Sequence, residues 1–241
     1  MSIWGKLVGG AAGFALGGPL GALIGAVGGH FVDRMNKDSD DPGRQQKSVG
    51  FTIAVIVLGA KMAKADGVVT EDEIQAFKQV FHVPPEEMKN VSRVFNQARK
   101  DAAGYEPYAK QVADMFRNNP AVLEELLWCL AHIAKADGRI HPGEREFLRG
   151  VADIFGFDGA TFERVTAIST DGEPEDPYRV LGVTPDATDA DVKAAHRKLV
   201  IENHPDKLIA QGLPEEFIEI ANKKLAAINA AYDKIKKHRN I

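Results

Sequence analysis

The chain has 241 residues, 44% of them apolar and 27% charged, enough for one large domain or two small ones at about 150 residues per domain. A net charge of -4 provides no chain-wide basic field for a phosphate backbone, so nucleic acid is not an expected partner. The single cysteine, Cys129, excludes an internal disulfide framework and a cysteine-rich metal site; set in the apolar run Leu126, Leu127, Trp128 and Leu130, it reads as inert core.

Ten of the 23 glycines lie within the first 29 residues. From Leu7 to Gly29 the chain runs 23 residues without a charge, about the length of a helix that crosses a hydrocarbon core of roughly 30 Å. Gly5, Gly9, Gly13, Gly17, Gly21, Gly25 and Gly29 recur at every fourth position, on one helical stripe. Small-residue stripes of this kind let two membrane helices approach closely, which predicts a homodimer through Gly9, Gly13, Gly17, Gly21 and Gly25. A signal peptide has a shorter apolar core, and flexible glycine linkers lack the Leu, Ile, Phe and Val found between these glycines. Pro19 falls mid-span, where a kink is expected. Trp4 reads as an interfacial anchor, and Arg34, Lys37, Arg44 and Lys47 outnumber the lone Lys6, placing the C-terminal bulk in the cytoplasm. Residues 1–34 are thus assigned to a transmembrane anchor in a lipid membrane, and 35–48 to a polar linker.

Residues 49–168 read as an all-helical domain with an internal repeat: Ala63-Lys-Ala-Asp-Gly67 recurs as Ala134-Lys-Ala-Asp-Gly138. The β-branched run Phe51 to Leu58 passes for a strand, but its counterpart, Val122 to Ala136, is a helix former. Both therefore read as buried helices ending at glycine. Thr70 with Glu73 forms a capping box, and Pro142 sits where a first helical turn accepts proline. Further amphipathic stretches at Pro85 to Lys100, Tyr108 to Asn118 and Ala160 to Ile168 complete the domain. The pattern Asp-Gly-x-(Val/Ile)-x-x-x-Glu matches half of a calcium loop. The positions for the other carboxylates hold Met62, Lys64, Ile133 and Lys135, too few oxygens for calcium. Asp66, Glu73, Asp137 and Glu144 are accordingly read as helix caps, with a cation role as the weaker alternative, and no metal or other cofactor is expected. His82, His132 and His141 show no ligand spacing. On its repeat, this segment resembles the TerB-like helical family.

After a second linker, 169–176, residues 177–241 read as a short helix, a turn, a helix from Asp189 to Asn203, a loop opening with His204-Pro-Asp-Lys207, and a helix from about Glu215 to Lys237. Val192, Ala195 and Leu199 face Ile220, Leu225, Ile228 and Tyr232 across a hairpin. With 11 basic and 9 acidic residues this segment carries +2 and the remainder -6. Tyr178-x-x-Leu-Gly-Val183, Ala187-Thr188, Lys193, Arg197-Lys-Leu199, His204-Pro-Asp-Lys207 and Ile228-Asn-x-Ala-Tyr232 together resemble the J domain over its full length. The whole order of segments is similar to the family of DnaJ-like membrane co-chaperones.

That resemblance implies a membrane-anchored co-chaperone of the bacterial inner membrane that recruits a DnaK-type chaperone and stimulates its ATP hydrolysis, with His204, Pro205, Asp206, Lys193, Arg197 and Lys198 as the binding residues. The aromatic residue usual before the basic pair is here His196, and the Gly/Phe-rich and zinc-binding regions of full DnaJ-type chaperones are missing. The alternative is a stress-signalling or cation-sensing adaptor working through the TerB-like domain. No G-x-S-x-G, H-E-x-x-H, phosphate loop or triad is present, so the chain is not read as an enzyme.

Overall fold

The computed structural model describes residues 16–27, 41–66, 77, 83–85, 87–101, 103–136, 138–168 and 176–240. Among the described residues all regular structure is helical, in agreement with the all-α expectation.

Only residues 16–27 of the expected anchor are described. Gly17 and Gly18 adopt φ of +58° and +56°, the left-handed region open to a residue without Cβ, and α1 (Gly18–Val27) starts there. The break expected at Pro19 therefore lies just ahead of it, and Pro19 sits in a first turn, where its missing N–H is harmless. Leu20, Leu23 and Ile24 are buried. The Gln111 side chain ties this segment to the middle domain, accepting from Leu20 N at 2.9 Å and donating to Leu16 O at 3.1 Å and Gly17 O at 2.9 Å.

The middle domain is organised around α2 (Pro42–Asp66), so the second half of the expected linker 35–48 is helical from Pro42 onward. Each residue from Phe51 to Leu58 is fully buried. This explains why a β-branched run folds as a helix: a helix packed on all sides is selected by tertiary contacts and not by propensity. Gly43–Lys64 is the one described helix long and apolar enough to cross a membrane, and it is largely buried in this domain. Around it pack α3 (Met88–Lys100), α4 (Glu106–Met115), α5 (Pro120–Ala134) and α6 (Pro142–Ile154), with α7 (Gly159–Ala167) against α5. Lys61, at the far end of α2, donates to Asp101 Oδ2 (2.9 Å), Asp101 O (3.1 Å) and Ala103 O (2.6 Å). Hydrogen bonds from Tyr108 and Lys61 hold the Asp101 carboxyl below the usual carboxylate range. The repeat's second helix, α5, ends at Ala134, and Gly138 (φ +97°) lies in the turn beyond, not at the helix cap.

The C-terminal domain opens with α8 (Pro177–Leu181), capped by Asp176, whose carboxylate accepts from Tyr178 N and Arg179 N. A Thr188–Asp191 capping box starts α9 (Asp189–Glu202). After α10 (Pro205–Ala210) and a 3-10 turn (Glu215–Phe217), α11 (Ile218–Arg239) returns alongside α9. Contacts at 189 with 239 and 196 with 229 make the pair antiparallel. Val192, Leu199, Ile220 and Ile228 are buried as expected, while Ala195, Leu225 and Tyr232 are half-buried.

The two domains share one apolar core. Phe51 of α2 meets Phe116 and Phe217 edge-on, at centroid distances of 6.3 and 4.9 Å. Ser48 Oγ donates to Gly212 O at 3.0 Å. At Gly212 (φ +111°) a Cβ would stand 2.7 Å from Lys47 Cβ, so this approach requires glycine. Beside the aromatic cluster lies a buried quartet of charges. Lys224 Nζ of α11 is 3.0 Å from Glu125 Oε2 and 3.3 Å from Glu124 Oε1, and Arg164 of α7 forks onto both oxygens of Glu124 at 3.0 and 2.6 Å. Trp128, with Lys224 above its ring, donates its indole N–H to Ile168 O at 3.3 Å. At the rim Glu163 bridges Arg145 and Arg179.

Burial alone would raise the Glu124 carboxyl, but Lys224 and Arg164 outweigh it and hold the pKa at about 2, below its ordinary 4.5. A carboxylate depressed on folding stabilises the folded state above pH 4.5, and that contribution disappears as pH falls towards 2. Thermal unfolding should therefore show a loss of stability across this window that is flattened in Glu124→Gln; an unchanged acid limb would remove Glu124 as its source. Glu125 has the opposite sign: burial pushes its carboxyl up, and one of its oxygens has no hydrogen-bond partner.

Candidate functional site

The tripeptide expected as a loop is the start of a helix. His204 is the N-cap of α10, Pro205 occupies its first position, and Asp206 follows in the first turn, where the helix dipole favours a carboxylate. His204 Nδ1 accepts from Asp206 N at 3.3 Å, which leaves the ring proton on Nε2. Pro205 is buried against the hairpin, whereas the Asp206 side chain is 89% exposed and the His204 ring 53%. The segment is thus anchored by proline and presents an imidazole and a carboxylate to solvent.

Immediately before it, Asn203 is 1% exposed and caps α9, donating from Nδ2 to Leu199 O at 2.9 Å. On α9 the three expected basic residues, Lys193, Arg197 and Lys198, are all exposed. With Ala190, Ala194 and Ile201 they line a shallow, open depression that Lys207 of α10 borders. Lys207, the residue directly after the tripeptide, thus links the basic face of α9 to the start of α10.

Ile201 was not anticipated as part of this face. It is 53% exposed, large and apolar, and its signal in the sequence was its spacing of four from Arg197 and three from Lys198, which puts it on their side of the helix. His196 points the other way. Its ring stacks on Tyr232 at 4.0 Å and 4°, with Nε2 2.8 Å from Asn229 Oδ1, so it pins α9 to α11 as an aromatic residue would.

Three of the five glycines of the expected dimer stripe are described. Gly17 and Gly25 are exposed and Gly21 is buried, with Gly17 standing ahead of α1; Gly9 and Gly13 lie outside the described residues. Of the weaker cation candidates, Asp66 is the last residue of α2, while Glu73 and Asp137 also lie outside the described residues. Glu144 is 2% exposed and accepts from His141 N at 2.8 Å, closing the capping box at the start of α6. Among the described residues no group of three His, Cys, Asp or Glu is placed to hold a metal ion. Cys129 is fully buried, and burial pushes its thiol well up from the ordinary range, which disfavours a nucleophile.

Comparison with known families divides the chain into three. Residues 1–48 match the co-chaperone DjlA transmembrane domain, 52–167 the tellurite resistance protein TerB, and 176–240 the DnaJ domain. The chain is 31% identical to co-chaperone protein DjlA of Photobacterium profundum, over 98% of this chain and 99% of the relative. It is 31% identical to that of Coxiella burnetii, over 98% of both, and 30% identical to that of Yersinia pestis, over 99% of both. No solved structure matches the chain.

Proposed function

Because the chain belongs to the DjlA family of membrane J-domain co-chaperones, we propose that it recruits a DnaK-type chaperone to the cytoplasmic face of a bacterial inner membrane and stimulates its ATP hydrolysis. The observation that carries this reading is the exposed basic depression of Lys193, Arg197, Lys198 and Ile201, bordered by Lys207 one residue after the exposed Asp206.

Each group on that surface has a physical task. The three cations steer an acidic chaperone surface and set the register of docking. Ile201 provides apolar area that is desolvated on contact. Pro205 fixes the backbone, so little conformational entropy is lost when the segment binds. Asp206 offers a carboxylate for a forked arginine contact on the partner. The reacting phosphoryl group and its chemistry belong to the partner; this chain supplies binding energy that favours the hydrolytic state.

Asp206→Asn tests the reading while leaving the fold intact, since the side chain is exposed. The loss of a charge-assisted fork, worth about 1.5–3 kcal/mol, predicts at least a tenfold fall in DnaK turnover stimulated by the full chain in lipid vesicles. Undiminished stimulation would sink the co-chaperone reading. An adaptor acting through the middle domain predicts instead a cellular phenotype that survives Asp206→Asn.

Self-association through the expected stripe of Gly9, Gly13, Gly17, Gly21 and Gly25 belongs to the same proposal, with Gly25 as its exposed helical position among the described residues, since Gly21 is buried and Gly17 precedes α1. Gly25 is exposed, and a Cβ placed on it would meet nothing within 4 Å, so leucine fits there without disturbing the chain. Gly25→Leu is expected to weaken crosslinked dimers in membranes, and an unchanged dimer yield would take Gly25 out of the interface.

A further inference from the structure

The middle domain holds the C-terminal domain at its entry, and the segment bearing His204, Pro205 and Asp206 at its downstream end. At its entry the C-terminal domain meets Arg164 of α7. Arg164 is itself locked by its fork onto Glu124, and its Cδ lies 2.9 Å from where a Cβ on Gly182 would stand. Downstream, Gly212 O accepts from Ser48, and Phe217 stacks edge-on against Phe51. Between these two grips the chain runs through α10. Lys224, beyond Phe217 in α11, is fully buried on Glu125, so the return helix is fixed as well.

This docking leaves the partner-facing surface open: Lys193, Arg197, Lys198, His204 and Asp206 all remain exposed with the domains together. The contact is therefore compatible with binding of a partner and does not mask the site. A buried ion pair adds little net stability over an apolar pair of similar size, but it penalises every arrangement that leaves one charge unpaired, and so it specifies orientation. Two glutamates, an arginine and a lysine meeting across the boundary fix where the C-terminal domain sits.

We propose that the middle domain buttresses the His204-Pro205-Asp206 segment, with Glu125 as a positioning residue acting through Lys224 and the return helix. The proposal rests on the co-chaperone reading above and adds a role for the TerB-like domain within it. The middle domain touches no partner in this scheme; it keeps α10 and the flanking turns from wandering, so a docked partner meets the presenting conformation without an ordering penalty.

The test uses the full chain in lipid vesicles and two readouts: amide exchange over Pro205 to Phe217, and DnaK turnover as a function of co-chaperone concentration. Glu125→Leu lies in the middle domain and leaves Lys224 buried without its closest partner. It is expected to speed exchange in the segment about tenfold or more and to lower maximal stimulation severalfold, with the half-saturating concentration moving less than the maximum. Adding Lys224→Met to Glu125→Leu refills the site with apolar groups and is expected to restore both readouts. Lys224→Met alone leaves Glu125 buried without its partner and should speed exchange as Glu125→Leu does, so recovery in the double variant separates loss of the pair from loss of folding. If Glu125→Leu matches wild type in exchange and maximal stimulation, or the double variant fails to recover them, the buttress is overturned. Stimulation that persists in Asp206→Asn would instead overturn the co-chaperone reading beneath it.

Discussion

Phe51→Ala should lower the unfolding free energy by about 3–5 kcal/mol, the range for deleting a fully buried aromatic side chain, and it should do so for both domains together. Phe51 is 0% exposed and its ring lies between Phe116 of the middle domain and Phe217 of the C-terminal domain. Removing it takes away transfer free energy and opens a cavity that the backbone cannot close, because α2 is held on all sides by α3, α4, α5 and α6. Two edge-on aromatic contacts are lost as well, each worth about 0.5–1.5 kcal/mol beyond area. Calorimetry should show a single transition in wild type and a single transition at lower temperature in the variant. A single transition at the wild-type temperature would contradict the shared core.

Lys224→Ala is expected to be about as damaging, by roughly 3–5 kcal/mol, but for a different reason. Alanine abolishes the amine facing Glu125, which is completely buried and already has one carboxylate oxygen without a hydrogen bond. It also removes one of the two cations on Glu124 and the cation above the Trp128 ring, leaving Arg164 to neutralise two glutamates. Glu125, already pushed up by burial, must then take a proton or draw water into the interface. Denaturant unfolding of Lys224→Ala, with Lys223→Ala as the control, measures the effect. Lys223 pairs with Glu219 one turn away at 3.4 Å on the surface, a geometry worth about 0.3–0.5 kcal/mol. Similar losses for the two lysines would contradict the buried quartet.

These neighbouring lysines show what the sequence disclosed and what it withheld. Periodicity located both hairpin helices and left Lys193, Arg197 and Lys198 off the core stripe of α9, because a helix repeats every 3.6 residues, whereas the binding role of these residues and of His204-Pro205-Asp206 came only from resemblance to the J domain. The repeated Ala-Lys-Ala-Asp-Gly motif resolved the β-branched run of α2 as a helix by comparison with α5. The domain interface was invisible for a physical reason: α11 packs on two faces, and its second face is marked by a lysine, which in a sequence reads as solvated. Glu124 and Glu125 likewise read as an ordinary acidic pair, and the bond that buries Glu125 joins residues 99 positions apart. Complementary charges that cancel in the folded state leave no apolar stripe to detect. The short helix α10 was missed because His204 does not belong to the usual set of capping residues, though Pro205 at a first helical position was the available clue. The helix starting at Pro42 was hidden by a polar, proline- and glycine-containing segment that matches a linker in composition.

Arg239 closes the C-terminal domain on itself. It donates to Tyr178 Oη at 3.0 Å, to Pro185 O and Ala187 O at 2.7 Å each, and to Asp189 Oδ1 at 2.9 Å. One guanidinium thereby fastens the end of α11 to α8 and to the turn that opens α9. Loosening the last turn of α11 would therefore free the entry of the C-terminal domain and the opening of α9 at once, so the two ends of this domain order together.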